Sequence, residues 1–164
     1  MIRTDQILKI YDDHSQRLYN ISLRIVCDRF DAEEVMHDTL LQYYRMKDKS
    51  SITDLRKWLS SVCIRKSIDR LRARNRFRNF IEEYEDIATS DASGDAQEEE
   101  IVFEIERIKA SLTSLPDNYR LILNLHLFEG LDYQEISQIT GTKENTIRSL
   151  YMRGKQKLLT LLKK

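Results

Sequence analysis

The chain has 164 residues, of which 41% are hydrophobic and 33% charged, and it contains only four Gly and one Pro. This composition is typical of a globular, mainly helical protein of one domain or two small ones. No apolar run reaches the roughly 18 residues of a membrane span, and the N-terminus has no apolar signal core, so a cytoplasmic protein without membrane insertion is expected. The net charge is zero, but residues 1–80 carry +6, residues 81–110 carry −9 and residues 111–164 carry +3, which favours a polyanionic partner for the two basic parts.

Three amphipathic helices are predicted in the first 80 residues. Apolar residues recur at helical spacing over residues 5–27. Asp31, with Glu34 three residues later, predicts a capping box at the start of a second helix, and Asp54 predicts the start of a third. Helices of this length can close a small bundle, so residues 1–80 are predicted to form a three-helix N-terminal domain.

An acidic segment follows this domain. Residues 81–99 are rich in Glu, Asp and small residues and poor in large apolar ones. A segment of this composition cannot bury enough apolar surface to fold, so a flexible linker is expected. A flexible chain of about 20 residues has ends roughly 25 Å apart on average, which would let two domains separate widely.

Residues 100–164 are predicted to form a four-helix C-terminal domain that contains a helix-turn-helix. Asp132 and Glu135 form a second capping-box pattern, and Gly141 is placed to end that helix in a left-handed conformation. Thr142 is then expected to cap the last helix. Because no strand pattern is present, the predicted fold class is all-α, with two small helical domains joined by the acidic linker.

The last helix carries the residue types of a DNA reader. Ile147, Leu150 and Leu158 are expected to face the core, which leaves mostly polar side chains facing outward. Arg, Asn and Glu can pair with guanine, adenine and cytosine in the major groove, and Arg153 is suited to phosphates. The alternative is a solvated basic face on a packing helix. The side chains expected to face outward are Glu144, Asn145, Arg148, Ser149 and Met152.

A second basic cluster lies in the third predicted helix. Residues 54–78 hold nine basic and two acidic side chains, most of the basic ones within "RKSIDRLRARNRFR", residues 65–78. Contact with nucleic-acid phosphates explains this density of positive charge. The alternative is a solvent-exposed helix end whose dipole favours cations, although two or three charges usually suffice for that effect.

The cysteines and histidines give no sign of a metal site or cofactor. Cys27 and Cys63 each lie in an apolar stretch without a CxxC partner, so buried, reduced thiols are predicted. His14, His37 and His126 have no ligand spacing, and no metal or cofactor is expected. No phosphate-binding glycine loop or nucleophile motif is present either, so an enzyme is not expected.

Two long stretches resemble domains of bacterial sigma factors. "RLYNISLRIVCDRFDAEEVMHDTLLQYYR" followed by "WLSSVCIRKSIDRLRAR" resembles their second conserved domain. "SLPDNYRLILNLHLFEGLDYQEISQITGTKENTIRSLYMRGKQKL" resembles their fourth domain. A short linker stands in place of the third domain, as in the extracytoplasmic-function (ECF) group of the sigma-70 superfamily. The resemblance covers nearly the whole chain, and both motifs in this order and spacing are strongly specific.

The resemblance implies a polymerase-binding surface on the second helix. Residues 31–45 match the surface that docks on the clamp helices of core RNA polymerase, and the flap is a further expected contact. An outward acidic edge suits a basic partner surface, although acids near a helix N-terminus also complement its dipole. His37 stands where the family often has Gln. The residues implied in polymerase binding are Glu33, Glu34, His37, Asp38, Leu41 and Gln42.

The resemblance also implies a reader of the minus-ten promoter element. The loop "KDKSSI", residues 47–52, matches one that holds a flipped base, while the residues alone indicate only a polar loop. The following helix matches the strand-opening helix, with Arg65 where the family commonly has Asn. Trp58 matches a family Trp and is expected in the core. The implied minus-ten residues are Lys49, Ser50, Ser51, Arg65, Lys66, Arg70, Arg72 and Arg74.

The fourth-domain match implies recognition of the minus-thirty-five element. Leu150 replaces a common Arg in this helix. The acidic linker matches a segment that threads the RNA-exit path of polymerase, where negative charge mimics RNA, and an ordinary solvated spacer explains it equally well. The residues implied in minus-thirty-five binding are Thr142, Lys143, Glu144, Asn145, Thr146, Arg148, Ser149 and Arg153.

The predicted function is therefore that of a sigma factor without a catalytic site. It is expected to bind core RNA polymerase and promoter DNA, to be held by an anti-sigma factor, and to be nucleoid-associated when bound to polymerase. One alternative is a free-standing LuxR-like helix-turn-helix regulator, which shares the "GLDYQEIS" pattern and would bind a palindromic site as a dimer. Another is a protein adaptor that uses the first three helices.

Overall fold

The structure, a computed structural model, describes the backbone of residues 4–82 and 101–163 and the side chains of residues 4–75 and 106–163. Its backbone divides into two compact units, Met1–Arg72 and Ala73–Lys164. All regular secondary structure within the described ranges is helical, which confirms the predicted all-α class. Most of the predicted acidic linker, residues 83–99 of 81–99, lies outside the described residues.

Three helices begin in the N-terminal unit: α1, Thr4–Val26; α2, Arg29–Arg45; and α3, Leu55–Glu82. The prediction of Asp54 at the start of α3 is confirmed, because its carboxylate accepts a hydrogen bond from the Lys57 amide at 3.2 Å. This bond satisfies one of the amides that a helix N-terminus leaves without an intrahelical partner.

The start of α2 differs from the prediction. The N-cap is Asp28, whose carboxylate accepts a hydrogen bond from the Asp31 amide at 2.9 Å. Asp31 is therefore in the first turn of α2, and the predicted capping box of Asp31 with Glu34 is wrong. The chain reaches this cap through Cys27, which has a positive φ of 54° and is exposed, so the prediction of a buried Cys27 is also wrong. A non-glycine residue with a positive φ is uncommon outside turns, and connections between helices lie at the surface, which accounts for the exposure of Cys27.

The core of the N-terminal unit combines apolar packing with a line of buried hydrogen bonds between α1 and α3. Leu18 of α1 and Leu59 of α3 are fully buried. The Cys63 thiol, buried as predicted, donates to the Leu18 carbonyl at 3.3 Å. The hydroxyl oxygens of Ser22 and Ser67 lie 2.8 Å apart. Because buried polar groups must find partners, these bonds define how α3 is aligned along α1.

The C-terminal unit contains α4, Ile101–Ser114; α5, Asp117–Leu123; α6, Tyr133–Thr140; and α7, Glu144–Leu162. A π-helical turn, Asn124–Phe128, continues α5. The C-terminal unit has a buried apolar cluster, formed by Leu112, Leu115, Leu123 and Leu158. Gly154 lets α7 lie close to α5, because a Cβ at that position would be 3.2 Å from the Tyr119 Cβ and 3.3 Å from Leu123 Cδ1.

A buried arginine supports the start of α5. Arg120 is only 4% exposed. Its guanidinium lies 2.7 Å from the Asp117 carboxylate and donates to the Leu115 carbonyl at 3.2 Å. A buried charge requires such partners, so this group ties the first turn of α5 to the end of α4.

No helix in the described ranges combines the length and hydrophobicity that a membrane span requires.

Candidate nucleic-acid interface

The acidic side of α2 is bonded to the basic side of α3. The guanidinium of Arg70 lies 2.7 Å from the Glu34 carboxylate, 3.2 Å from that of Asp31 and 3.9 Å from that of Asp38. These four side chains, which we call the Arg70 network, join a predicted minus-ten residue to two predicted polymerase-binding residues. Three carboxylates around one guanidinium leave an excess of negative charge, which keeps this side of α2 suited to a basic partner.

The residues predicted to bind polymerase share the outer face of α2. The side chain of Asp38 is 52% exposed and Leu41 is 41% exposed. The ring of His37 stacks on Tyr11 of α1, with centroids 6.1 Å apart. An open groove beside this face is lined by Asp38, Leu41, Gln42, Arg45, Met46 and Lys66. Lys66 of α3 thus borders the same groove as three of the predicted polymerase-binding residues.

The loop between α2 and α3 has local hydrogen bonds of its own. The ammonium of Lys49 donates to the Met46 carbonyl at 2.6 Å and lies 5.1 Å from the centre of the Tyr43 ring. The amide and hydroxyl of Ser50 donate to the Asp48 carboxylate at 2.9 Å and 2.6 Å. These bonds, the side-chain one foremost, lower the pKa of Asp48. The loop predicted to hold a flipped base is therefore a structured turn next to an aromatic ring.

The predicted minus-ten residues of α3 lie on two different faces. Arg65 and Arg72 are seven residues apart, both exposed, and share one outward face. Lys66 and Arg70 are four residues apart and face α2. The sequence predicts two overlapping faces within this basic cluster, one with Arg70, Arg74 and Arg78 and one with Arg65, Arg72 and Arg76. The structure separates an outward pair from a pair that meets the acids of α2, and Arg74 is half-buried. The side chains of Arg76 and Arg78 lie outside the described residues.

The helix-turn-helix of α6 and α7 has the predicted capping geometry on its first helix. The Asp132 carboxylate accepts from the Glu135 amide at 2.8 Å, and Glu135 accepts from the Asp132 amide at 3.3 Å. Gly141 has a φ of 73° and ends α6, as predicted. Thr142 does not cap α7, contrary to the prediction. The N-cap is Lys143, and the Thr142 carbonyl accepts a hydrogen bond from Ser137 at 2.7 Å, which holds the turn against α6.

The side chains predicted to read the minus-thirty-five element are nearly all exposed. Ile147 of α7 is fully buried, and Leu150 is half-buried. This register directs the polar residues of the first two turns outward. Thr142 is the exception, since it is half-buried in the turn. The exposed members of the predicted set are Lys143, Glu144, Asn145, Thr146, Arg148, Ser149 and Arg153.

Arg148 has two neighbours that restrict its side chain. Its guanidinium donates to the Glu144 carboxylate, four residues earlier on α7, at 3.3 Å. It also lies 5.7 Å from the centre of the Tyr133 ring, at the start of α6. The Arg148 side chain remains 60% exposed, so it can still reach a ligand.

An aromatic stack beneath Arg148 was missed from the sequence. The ring of His126, in the π-helical turn, stacks on Tyr133 with centroids 5.1 Å apart. Tyr151 of α7 meets His126 at 4.7 Å and Tyr133 at 5.8 Å. Nδ1 of His126 donates to the Leu131 carbonyl at 2.8 Å, which orients the imidazole. No spacing rule connects three residues on three elements, so only the aromatic content of this region offered a signal.

Comparison with known families accounts for both units. A family model described as sigma-70 region 2 matches residues 10–77, and one described as sigma-70, region 4 matches residues 105–158. The first match contains α2, the loop and the basic part of α3. The second contains α6, the turn and α7 as far as Leu158. The two matches follow the order in which the sequence resemblance placed the second and fourth domains.

Individual relatives extend over nearly the whole chain. The chain is 29% identical over 157 residues to the ECF RNA polymerase sigma factor SigE of Mycolicibacterium smegmatis, covering 92% of this chain and 59% of the relative. It is 25% identical over 161 residues to the ECF RNA polymerase sigma factor SigM of Bacillus subtilis, covering 93% of each.

A solved structure shares the fold. The sigma factor RpoE of Bartonella quintana, solved in complex with the anti-sigma factor NepR, matches with a TM-score of 0.63 and 19% identity. The match covers 94% of this chain and 95% of that one.

Proposed function

Because this chain belongs to the sigma-70 family, with a region 2 and a region 4, we propose that it is an ECF sigma factor that binds core RNA polymerase and directs promoter-specific initiation. The observation that carries the proposal is the presence of two separate family regions, each with an exposed basic helix, in one chain of 164 residues. Two readers on one chain suit a promoter with two elements, because each element then adds to the binding of the other.

The proposed division of labour follows the two units. In the N-terminal unit, the outer face of α2 binds the clamp helices of polymerase, while the loop and α3 read the minus-ten element. In the C-terminal unit, the start of α7 reads the minus-thirty-five element, and the unit contacts the polymerase flap. The chemistry of RNA synthesis belongs to the polymerase, so this subunit needs no catalytic residue or cofactor. It acts in the cytoplasm, at the nucleoid when bound to polymerase.

An anti-sigma factor is part of the proposal. The matched solved structure is itself a complex of a sigma factor with an anti-sigma factor. Inhibition of this kind would cover the surfaces that polymerase needs. Co-purification from the native host would show it directly, as a second protein bound to the chain when polymerase is absent.

The LuxR-like alternative is not favoured. It explains the helix-turn-helix but leaves residues 10–77, which match region 2, without a role. It also predicts a dimer that protects a palindromic site without polymerase. A footprint produced by the chain alone would support that alternative, whereas the sigma-factor proposal expects protection only in the presence of core enzyme.

Run-off transcription with purified core enzyme tests the central proposal. Core plus this chain should initiate at defined positions on a promoter library, and the transcripts should depend on both elements. Core alone provides the control. If the chain adds no promoter selectivity to core, the proposal is wrong.

A further inference from the structure

The contact between Arg148 and Tyr133 is more than an exposed ion pair on a helix. Glu144 and Arg148 are spaced i, i+4, and such pairs on a solvated helix hold a long side chain only loosely. The Tyr133 ring adds a second restraint from a different helix, at 5.7 Å from the guanidinium carbon. A guanidinium prefers to lie over an aromatic face, so the ring limits the directions in which the Arg148 side chain can point.

Tyr133 is itself held in place from three sides. It is the first residue of α6 and lies within the capping box, between Asp132 and Glu135, which determines its backbone position. Its ring stacks on His126, with an interplanar angle of 23°. Tyr151 packs against both rings and lies one turn after Arg148 on α7. The aromatic stack of His126, Tyr133 and Tyr151 is therefore built partly from α7, the helix that carries Arg148.

We propose that Tyr133 is a specificity-determining positioning residue, which orients the Arg148 guanidinium for a guanine in the minus-thirty-five element. This inference rests on the proposed function. An arginine reads guanine through two parallel hydrogen bonds to O6 and N7, and this requires a defined orientation of the guanidinium plane. A side chain that is oriented before binding loses less freedom when it binds, which strengthens the pairing.

The orientation also explains a feature of the α7 surface. Arg148 stays 60% exposed while it contacts both Glu144 and Tyr133. A buried contact would withdraw the guanidinium from DNA, whereas contact at the edge of a solvated surface leaves its donors accessible. Cation–aromatic contacts at exposed sites correspond to about a 2- to 5-fold change in an equilibrium constant. The effect of Tyr133 should therefore be a moderate change in base preference at one position.

The test uses holoenzyme assembled from core and the full chain, with a promoter library randomised in the minus-thirty-five element. Wild type should favour guanine at one position where Arg148→Ala loses the preference. Tyr133→Leu should reduce that preference about 2- to 5-fold. Tyr133→Phe, which keeps the ring, should retain it. In the Arg148→Ala background, Tyr133→Leu should produce no further change at that position.

A merely structural role gives a different pattern. Tyr133→Leu would then weaken use of every promoter equally, with or without Arg148, and that result would overturn the inference, as would an unchanged guanine preference. If Tyr133→Leu does not fold, pentafluorophenylalanine at position 133 keeps the shape of a ring and reverses its quadrupole, so it should also lower the guanine preference. A retained preference in that protein would equally overturn the inference. If wild-type holoenzyme shows no minus-thirty-five dependence, the proposed function itself is wrong.

Discussion

The two predicted DNA-binding helices hold their arginines differently. On α3, Arg70 lies within 4 Å of three carboxylates that belong to a neighbouring helix. On α7, Arg148 has one carboxylate on its own helix and an aromatic ring beside it. A positive charge that is shared among three acids is largely neutralised, whereas one that rests on a ring remains available to an anion. Both α3 and α7 are rich in basic residues, but the arginines of the two helices therefore differ in how available they are to DNA.

A third arginine, Arg120 of the C-terminal unit, extends the comparison to an ion pair that is buried, and breaking this pair gives the largest expected effect. Replacing Asp117 by Ala leaves Arg120, which is 4% exposed, without the carboxylate that lies 2.7 Å away. Breaking a buried pair in this way costs about 3–5 kcal/mol of folding free energy. Chemical denaturation followed by circular dichroism should show an early loss of helix.

Two controls localise that effect. Glu106 and Lys109 have the same i, i+3 spacing on an exposed surface, 3.8 Å apart, so Glu106→Gln should change stability by less than about 1 kcal/mol. Trp58 is the only tryptophan and lies in the N-terminal unit, so its fluorescence transition should be the same in Asp117→Ala as in wild type. A shifted Trp58 transition would show that the two units do not unfold separately.

The salt dependence of promoter binding distinguishes the two faces of α3. Arg65 is exposed and has no ion-pair partner among the described residues, so it is available to a phosphate. Arg65→Ala should reduce the magnitude of the slope of log K against log salt concentration by about 0.7–0.9 in holoenzyme–promoter complexes. Arg70→Ala should leave the slope unchanged, because its charge is already paired. An equal loss in both variants would show that Arg70 binds phosphate, as the sequence predicts.

The Arg70 network itself should contribute little to stability. Its side chains are 30–61% exposed, and ion pairs of this exposure are worth about 0.2–1 kcal/mol each. Glu34→Gln should lower the unfolding free energy by that amount, measured through Trp58 fluorescence, and the loss should vanish in an Arg70→Ala background. Glu33→Gln, at the neighbouring exposed position, is the matched control. If the effect of Glu33→Gln also vanished in the Arg70→Ala background, the assignment of Glu34 rather than Glu33 to the Arg70 network would be wrong.

Local patterns predicted the helices and the helix-turn-helix well. The capping box at Asp132 and the left-handed Gly141 are contained within short spans, where residue type directly determines backbone geometry. The prediction of a capping box at Asp31 was wrong, because Asp28 three residues earlier has an equally suitable side chain and the Cys27 turn selects it. Competing caps of similar strength cannot be ranked without the turn that precedes them.

Contacts between helices lay beyond the sequence. Arg70 and Glu34 are 36 residues apart, and His126 is seven residues from Tyr133 but joined to it through a π-helical turn. A basic cluster and an acidic edge were both predicted, but the pairing of Arg70 with three of these acids depends on the rotation of α3 against α2. The polarity of a helix face can be read from the sequence, whereas the element that this face meets depends on tertiary packing.

The N-terminal unit has its own partly buried arginine, Arg17, and its contact with His14 predicts a pH dependence of stability. Arg17 donates to the Ser60 hydroxyl on α3 and, at 3.0 Å, to Nδ1 of His14 on α1. Burial foremost, and then the charge of Arg17, lower the pKa of His14 below its usual 6.5. As the pH falls, His14 therefore binds a proton more readily in the unfolded chain than in the folded one. Its contribution to the free energy of unfolding should be fully present above pH 6.5 and should decrease as the pH drops below that value.

His14→Gln should remove this pH dependence. The measurement is urea denaturation followed by Trp58 fluorescence, at one pH well above 6.5 and one well below it. Gln16→Ala, at a neighbouring exposed position on α1, should keep the wild-type difference between the two. A His14→Gln protein that still loses the same stability in acid would show that groups other than His14 carry the pH dependence. That result would rule out the α1–α3 contact at Arg17 and His14 as its source.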